Sequence, residues 1–258
     1  MPAPGFRKRT RVYAVANQKG GVGKTTTAVN VGACLAEAGE RVLLIDLDPQ
    51  ANATSGLGVR ANGATTHDLL DGIALGTLAK PTRFPNLDLV AAKSDLAAAA
   101  VDLATREGGE RYLAEALEHD LDSYSFVFLD CPPSFGPLTV NALAAASRAL
   151  VPVQAEYYAL EGLSQLLGTV NLVKARLNPG LEVAGILLTM ADGRTRLSAD
   201  VEAELRRHFG DLVFTTTVPR SVRLAEAPSH GLPAIAYDRR SAGAEAYWKV
   251  AMELVERS

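Results

Sequence analysis

The stretch Lys19-Gly20-Gly21-Val22-Gly23-Lys24-Thr25-Thr26 concentrates lysines, glycines and hydroxyls, and three aspartates, Asp46, Asp48 and Asp130, close apolar runs farther along the chain. These residue types suit a polyphosphate and a hard divalent cation. Glycines admit positive φ and let the backbone come close to an anion, so that successive N–H groups at a helix N-terminus can cradle it. Lys24 stands where its ammonium reaches the β and γ phosphates, and Thr25 stands where its hydroxyl ligates Mg²⁺. Asp130 ends the apolar run 125–129, an arrangement of the Walker B type in which the carboxylate holds a water of the cation's shell. Asp46 reads either as support for that shell or the adjoining loop, or as a strand-end capping carboxylate. An ordinary phosphate loop has no need of Lys19.

The elements around these residues must place them at one end of a sheet. Residues 12–16 read as a buried strand, and Ala28, Val31, Leu35 and Ala38 recur at helical spacing until Gly39. Runs at 41–48, 87–91, 125–130, 149–153 and 182–190 predict further buried strands, with helices over 94–104, 110–118, 138–147, 198–209, 242–256 and a long one ending at Leu177. Another strand is predicted near 212–217, and 49–56 reads as a polar loop. The fold class is α/β: one P-loop domain over 11–258, with a mostly parallel twisted sheet, helices on both faces and a short basic tail at 1–10. Ligands of such sheets sit beyond the carboxyl ends of the strands.

Composition narrows the choices. The 48% hydrophobic content is enough for a large core, and sparse aromatics with abundant Ala, Val and Leu suit a covered parallel sheet. A net charge of -3 excludes a globally basic nucleic-acid binder, so DNA contact requires a local patch. Two loops offer one: Gly193-Arg194-Thr195-Arg196 and Pro219-Arg220-Ser221-Val222-Arg223 each follow a predicted strand and open on one edge. Cys34 and Cys131 lack metal-ligand spacing, which points to a cytosolic chain without disulfides, and Cys131 reads as a packing residue. The start of the chain is not a secretion signal, no stretch reaches the length of a membrane span, and no fixed-period repeat is present.

From about Arg11 to the C-terminal helix the sequence resembles the ParA/Soj chromosome- and plasmid-partitioning ATPases, of the deviant Walker A (ParA/MinD) superfamily. The resemblance is carried by Lys19-Gly20-Gly21-Val22-Gly23-Lys24-Thr25-Thr26, Asp46-Leu47-Asp48-Pro49-Gln50, Asp130-Cys131-Pro132-Pro133 and the stretch from Pro219 to Pro228. It implies that Lys19 reaches a partner's phosphates across a nucleotide-sandwich homodimer. By the same match Asp48 positions the attacking water, Met190 and Pro219 flank the adenine, and Arg194 and Arg223 bind DNA, with Arg196 and Arg220 as further candidates. The implied cofactors are ATP/ADP and Mg²⁺. The implied partners are non-specific double-stranded DNA and a ParB/Spo0J-type centromere-binding protein, with a cytoplasmic, nucleoid-associated location and no membrane. Eleven residues before the first predicted strand leave no room for a helix-turn-helix. Three rivals remain. A MinD-like membrane cycler would need a terminal amphipathic helix. An iron-sulfur carrier would need paired cysteines, and a ligase a substrate pocket. A scaffold that does not hydrolyse is disfavoured by Asp48 together with Asp130.

Overall fold

The computed structural model describes residues 10–118, 120–156 and 159–257. The basic tail up to residue 9 and the Tyr157-Tyr158 pair lie outside them. Among the described residues seven strands form one sheet: β1 (Arg11–Val15), β2 (Val42–Asp46), β3 (Lys80–Pro81), β4 (Leu87–Val90), β5 (Phe126–Asp130), β6 (Arg148–Gln154) and β7 (Glu182–Thr189), in the order β3-β4-β2-β5-β1-β6-β7. Every pairing is parallel except that of β3 with β4.

Continuous apolar runs form these strands because both faces of the sheet are covered. Successive side chains alternate between the two faces. Tyr13, Val15, Leu44 and Phe128 pack with the helices Lys24–Glu37 and Ala242–Glu256. Ala14, Leu43, Ile45 and Leu129 pack with Leu96–Thr105, Pro137–Ala145 and Ala159–Arg176. Tyr13 stacks on Phe128 at 5.4 Å between centroids, and the C-terminal helix is fastened by Tyr247, whose hydroxyl lies 3.0 Å from that of Thr27. That helix buries Tyr247, Val250 and Leu254 in the core. No helix among the described residues is long and apolar enough to cross a membrane.

Register decides where the chemistry sits. Val15 of β1 and Asp46 of β2 both pair with Asp130 of β5, so the carboxyl ends of the three central strands lie side by side.

Three predicted elements need correction. Residues 212–217 form no strand. Gly210–Leu212 is a 3-10 turn, and the segment touches β7 through single bridges and bonds, Val213 with Ile186 and Val218 N–H to Leu188 O at 2.8 Å. The reason is Glu253: its carboxylate accepts the Thr215 and Thr216 N–H groups at 2.7 and 3.0 Å, taking donors that a ladder would use. The polar stretch after β2 contains a short helix, Asn52–Gly56, and the helix expected at 110–118 is confined to Tyr112–Ala116. The edge strand β3 has too few residues, one of them proline, to show a period. Glu253 also accepts from Arg257 Nη2 at 2.7 Å. Replacing Glu253 with Ala is therefore expected to cost about 1–3 kcal/mol, from charge-assisted bonds lost at a largely buried group. Urea unfolding measures this, and an unchanged midpoint would refute the role.

Candidate functional site

The loop after β1 is held in place by bonds from within the chain. Asn17 is buried; its Nδ2 donates to Pro152 O at 2.7 Å while its Oδ1 accepts the Lys19 N–H at 3.0 Å. The Thr189 hydroxyl donates to Val22 O at 2.8 Å, tying the loop to the end of β7. Gly21 and Gly23 take φ of 75° and 87°, a region that costs an L side chain energy, and Gly23 leads directly into the helix Lys24–Glu37. The result is a run of backbone N–H groups at a helix N-terminus. The Lys24 ammonium lies beneath it, buried and donating to Lys19 O at 2.9 Å. Burial lowers its pKa, opposed by the nearby charge of Asp130 and Asp48. Lys19 points the other way and is ion-paired with Glu156.

The acids divide by environment. Asp46 is fully buried with both oxygens engaged by the following loop: Oδ1 accepts from Asp48 N at 3.1 Å, and Oδ2 from Thr54 N at 2.9 Å and Thr54 Oγ1 at 2.7 Å. Burial raises its pKa to about 6 against those bonds. Asp48 opens on the cleft and caps a turn by accepting from Gln50 N at 2.9 Å. Asp130 is fully buried, and neither of its oxygens has a hydrogen-bond partner among the described residues. Burial, then the charge of Asp46, drives its pKa well above the carboxylate range; the Thr25 hydroxyl and Lys24 pull the other way. A buried carboxylate whose oxygens meet no well-formed hydrogen bond, approached by the Thr25 hydroxyl and a second acid, suits Mg²⁺, which prefers oxygen. No group of three or more His, Cys, Asp or Glu among the described residues makes a cation cage. Mg²⁺ itself is usually held by one or two carboxylates together with phosphates and water.

Part of this set opens on a cleft of about 590 Å³, lined by Gly20, Gly21, Gly23, Lys24, Thr25, Thr26, Asp48 and Met190; Lys19, Asp46 and Asp130 are outside its lining. Met190 turns the chain there with φ of 50°. Pro219 is not in the lining; it bridges Ala191, one residue beyond Met190, while Pro228 and Ser229 complete the rim. The same bridge joins the two arginine loops, and Arg220 N donates to Ala191 O at 3.2 Å. Each of three arginines faces carboxylates: Arg194 faces Asp192 at 2.9 Å, Arg196 faces Asp200 at 3.8 Å, and Arg223 faces Glu226 at 2.8 Å and Asp238 at 3.3 Å. Cys131 is buried beside Asp130, and burial pushes its thiol far up, which leaves it inert.

Residue spacing does not single out Asn17, Thr54, Glu156 or Thr189, because one polar side chain at a strand end has no period. Pro228 was within reach, since it closes the motif that begins at Pro219.

Comparison with known proteins follows the same lines. A family model described as an AAA domain matches residues 10–183. The chain is 55% identical over 252 residues to the chromosome-partitioning ATPase Soj of Thermus thermophilus, covering 98% of each. It is 51% identical over 247 residues to the sporulation initiation inhibitor protein Soj of Bacillus subtilis, covering 95% of this chain and 98% of the relative. Among solved structures, cobyrinic acid a,c-diamide synthase from Mycobacterium smegmatis, with bound ATP analog and magnesium, superposes with a TM-score of 0.84 at 38% identity, covering 96% of this chain and 95% of that one.

Proposed function

Because the chain belongs to the Soj/ParA family of chromosome-partitioning ATPases, we propose that it segregates DNA through a cycle of ATP-dependent dimerisation. In this reading two ATP-bound copies close face to face and grip double-stranded DNA without reading its sequence. They release it when a ParB/Spo0J-type partner stimulates hydrolysis to ADP and phosphate. The chain works in the cytoplasm, on the nucleoid. The observation that carries the proposal is one continuous path: Met190 lines the phosphate-loop cleft, and the next residue is bridged to the loop that bears Arg220 and Arg223.

Each residue has a part in it. The N–H groups from Gly20 to Thr26 and the Lys24 ammonium hold the phosphates, and Met190 and Pro219 flank the base. Lys19 leaves Glu156 to reach the partner's phosphates. Asp48 orients the attacking water, while Asp46 fixes the loop that carries Asp48. Thr25 and Asp130 would hold Mg²⁺, which supplies charge neutralisation at the phosphates. Arg194 and Arg223 of both subunits take DNA phosphates, joined by Arg196 and Arg220; doubling these residues in a dimer is how an acidic monomer binds a polyanion.

DNA binding compared without nucleotide, with ADP and with a non-hydrolysable ATP analogue tests the proposal. Only the analogue should support binding. Four neutralised phosphates give a slope of roughly -3.6 in log K against log salt, steeper if Arg196 or Arg220 joins. Equal affinity in the ADP and ATP states, or a slope near zero, would contradict it. ATP turnover with no DNA bound in any state would favour a small-molecule ligase.

A further inference from the structure

We propose that Asp192 is a resident substitute for a DNA phosphate: its carboxylate fills the fork of the Arg194 guanidinium, and DNA binds by displacing it. The inference rests on the DNA-gripping reading above and adds a residue that sets how tight that grip is.

The geometry is that of a fork filled on both prongs. Arg194 Nε donates to Asp192 Oδ1 at 2.9 Å and Nη2 to Oδ2 at 2.9 Å. A phosphate presents the same two-oxygen edge to a guanidinium. The Arg194 side chain is 90% exposed, so the carboxylate, rather than packing, fixes where it points. The turn is built to keep Asp192 in place. Its Oδ1 also accepts the Arg194 N–H at 3.1 Å, its N–H donates to Ser198 Oγ at 3.2 Å, and its carbonyl accepts from Thr195 N at 3.0 Å. The Arg194 hydrogen bonds, with Arg220 adding its charge, pull the Asp192 carboxyl down to about 2, so it stays ionised at any physiological pH. Arg223 on the neighbouring segment is also matched by acids, but by two of them, Glu226 at Nη1 and Asp238 at Nε, rather than by one carboxylate across the fork.

Two consequences follow from exchange rather than simple addition. The free protein shows a nearly neutral turn and takes up polyanions poorly. Once a phosphate has entered the fork, the displaced carboxylate stays close by and repels it, so the complex is weaker and shorter-lived than one made by an unpaired arginine. A dimer carries the effect twice.

Asp192→Asn tests this, because the amide oxygen keeps the turn's acceptor while the competing charge is lost. The readout is fluorescence anisotropy of a short labelled DNA duplex, at fixed salt, with a non-hydrolysable ATP analogue bound. Exposed ion pairs of this kind are modest, so binding should tighten by about two- to fivefold per turn, and by about four- to twenty-five-fold for a dimer using both. In an Arg194→Ala background the same substitution should give little or no gain. Glu107→Gln, which removes one exposed acid distant in sequence, should change nothing. Unchanged affinity in Asp192→Asn would overturn the inference. So would a gain of equal size in the Arg194→Ala background or in Glu107→Gln, since either means that net charge alone is responsible. If the unsubstituted protein binds no DNA in any nucleotide state, the DNA reading falls and this inference with it; if it binds and Asp192→Asn binds equally, only this inference falls.

Discussion

Replacing Lys24 with Met is expected to lower ATP affinity by about a thousandfold while leaving the fold intact. A unit charge about 4 Å from another, in surroundings with an effective dielectric constant near 20, is worth about 4 kcal/mol, or about three factors of ten in a binding constant. Lys24 is the buried cation beneath the glycine loop, so no mobile surface lysine can replace it. Methionine keeps the length of the apolar stem and removes the desolvated charge. The unfolding temperature should therefore hold or rise. Titration with a fluorescent ATP analogue decides the matter: affinity within tenfold of the parent would mean that the phosphates lie elsewhere.

The second large effect runs in opposite directions for stability and activity. Asp130→Asn should make the ligand-free protein more stable at pH 8 and slow ATP hydrolysis by about a hundredfold or more, the scale of losing one preorganised electrostatic group. Asp130 and Asp46 are fully buried and paired in register, and burial raises both pKa values above those of the unfolded chain. The folded state therefore binds more protons than the unfolded one. Its stability falls as pH rises from the unfolded value near 4 through about 6 for Asp46 and further for Asp130, and the penalty is complete above that window. Asparagine removes one of the two charges. Its advantage should be of order 2 kcal/mol, about 5 °C in Tm, at pH 8 and should shrink toward pH 5, where the parent's acids are protonated. Thermal unfolding at both pH values and phosphate release together check this. A lower Tm at pH 8, or undiminished turnover, would show that Asp130 does not carry the buried charge described here.

Much of this was legible before any coordinates. Runs such as 42–45 and 126–129 are apolar throughout because a parallel sheet is covered on both sides, and that pattern survives in sequence. The phosphate loop was legible for a different reason: glycine, lysine and threonine at fixed intervals meet several geometric demands at once. What escaped was held by single polar contacts across long sequence separations. Glu253 takes the backbone donors of Thr215 and Thr216 and so removes a strand that β-branched composition favours. Thr54, by bonding to Asp46, helps to fold a polar stretch into a helical turn. Nor does composition reveal that Arg194, Arg196 and Arg223 of the basic loops are matched by acids.

The bond from the Thr189 hydroxyl to Val22 joins two points of the chain that are 167 residues apart in sequence. Because that bond ties the loop down, a nucleotide pays little ordering entropy on entry, and Val22 is anchored to a residue three positions from Asp192. The glycine loop and the arginine turn are thus only a few peptide units of chain apart beyond that bond.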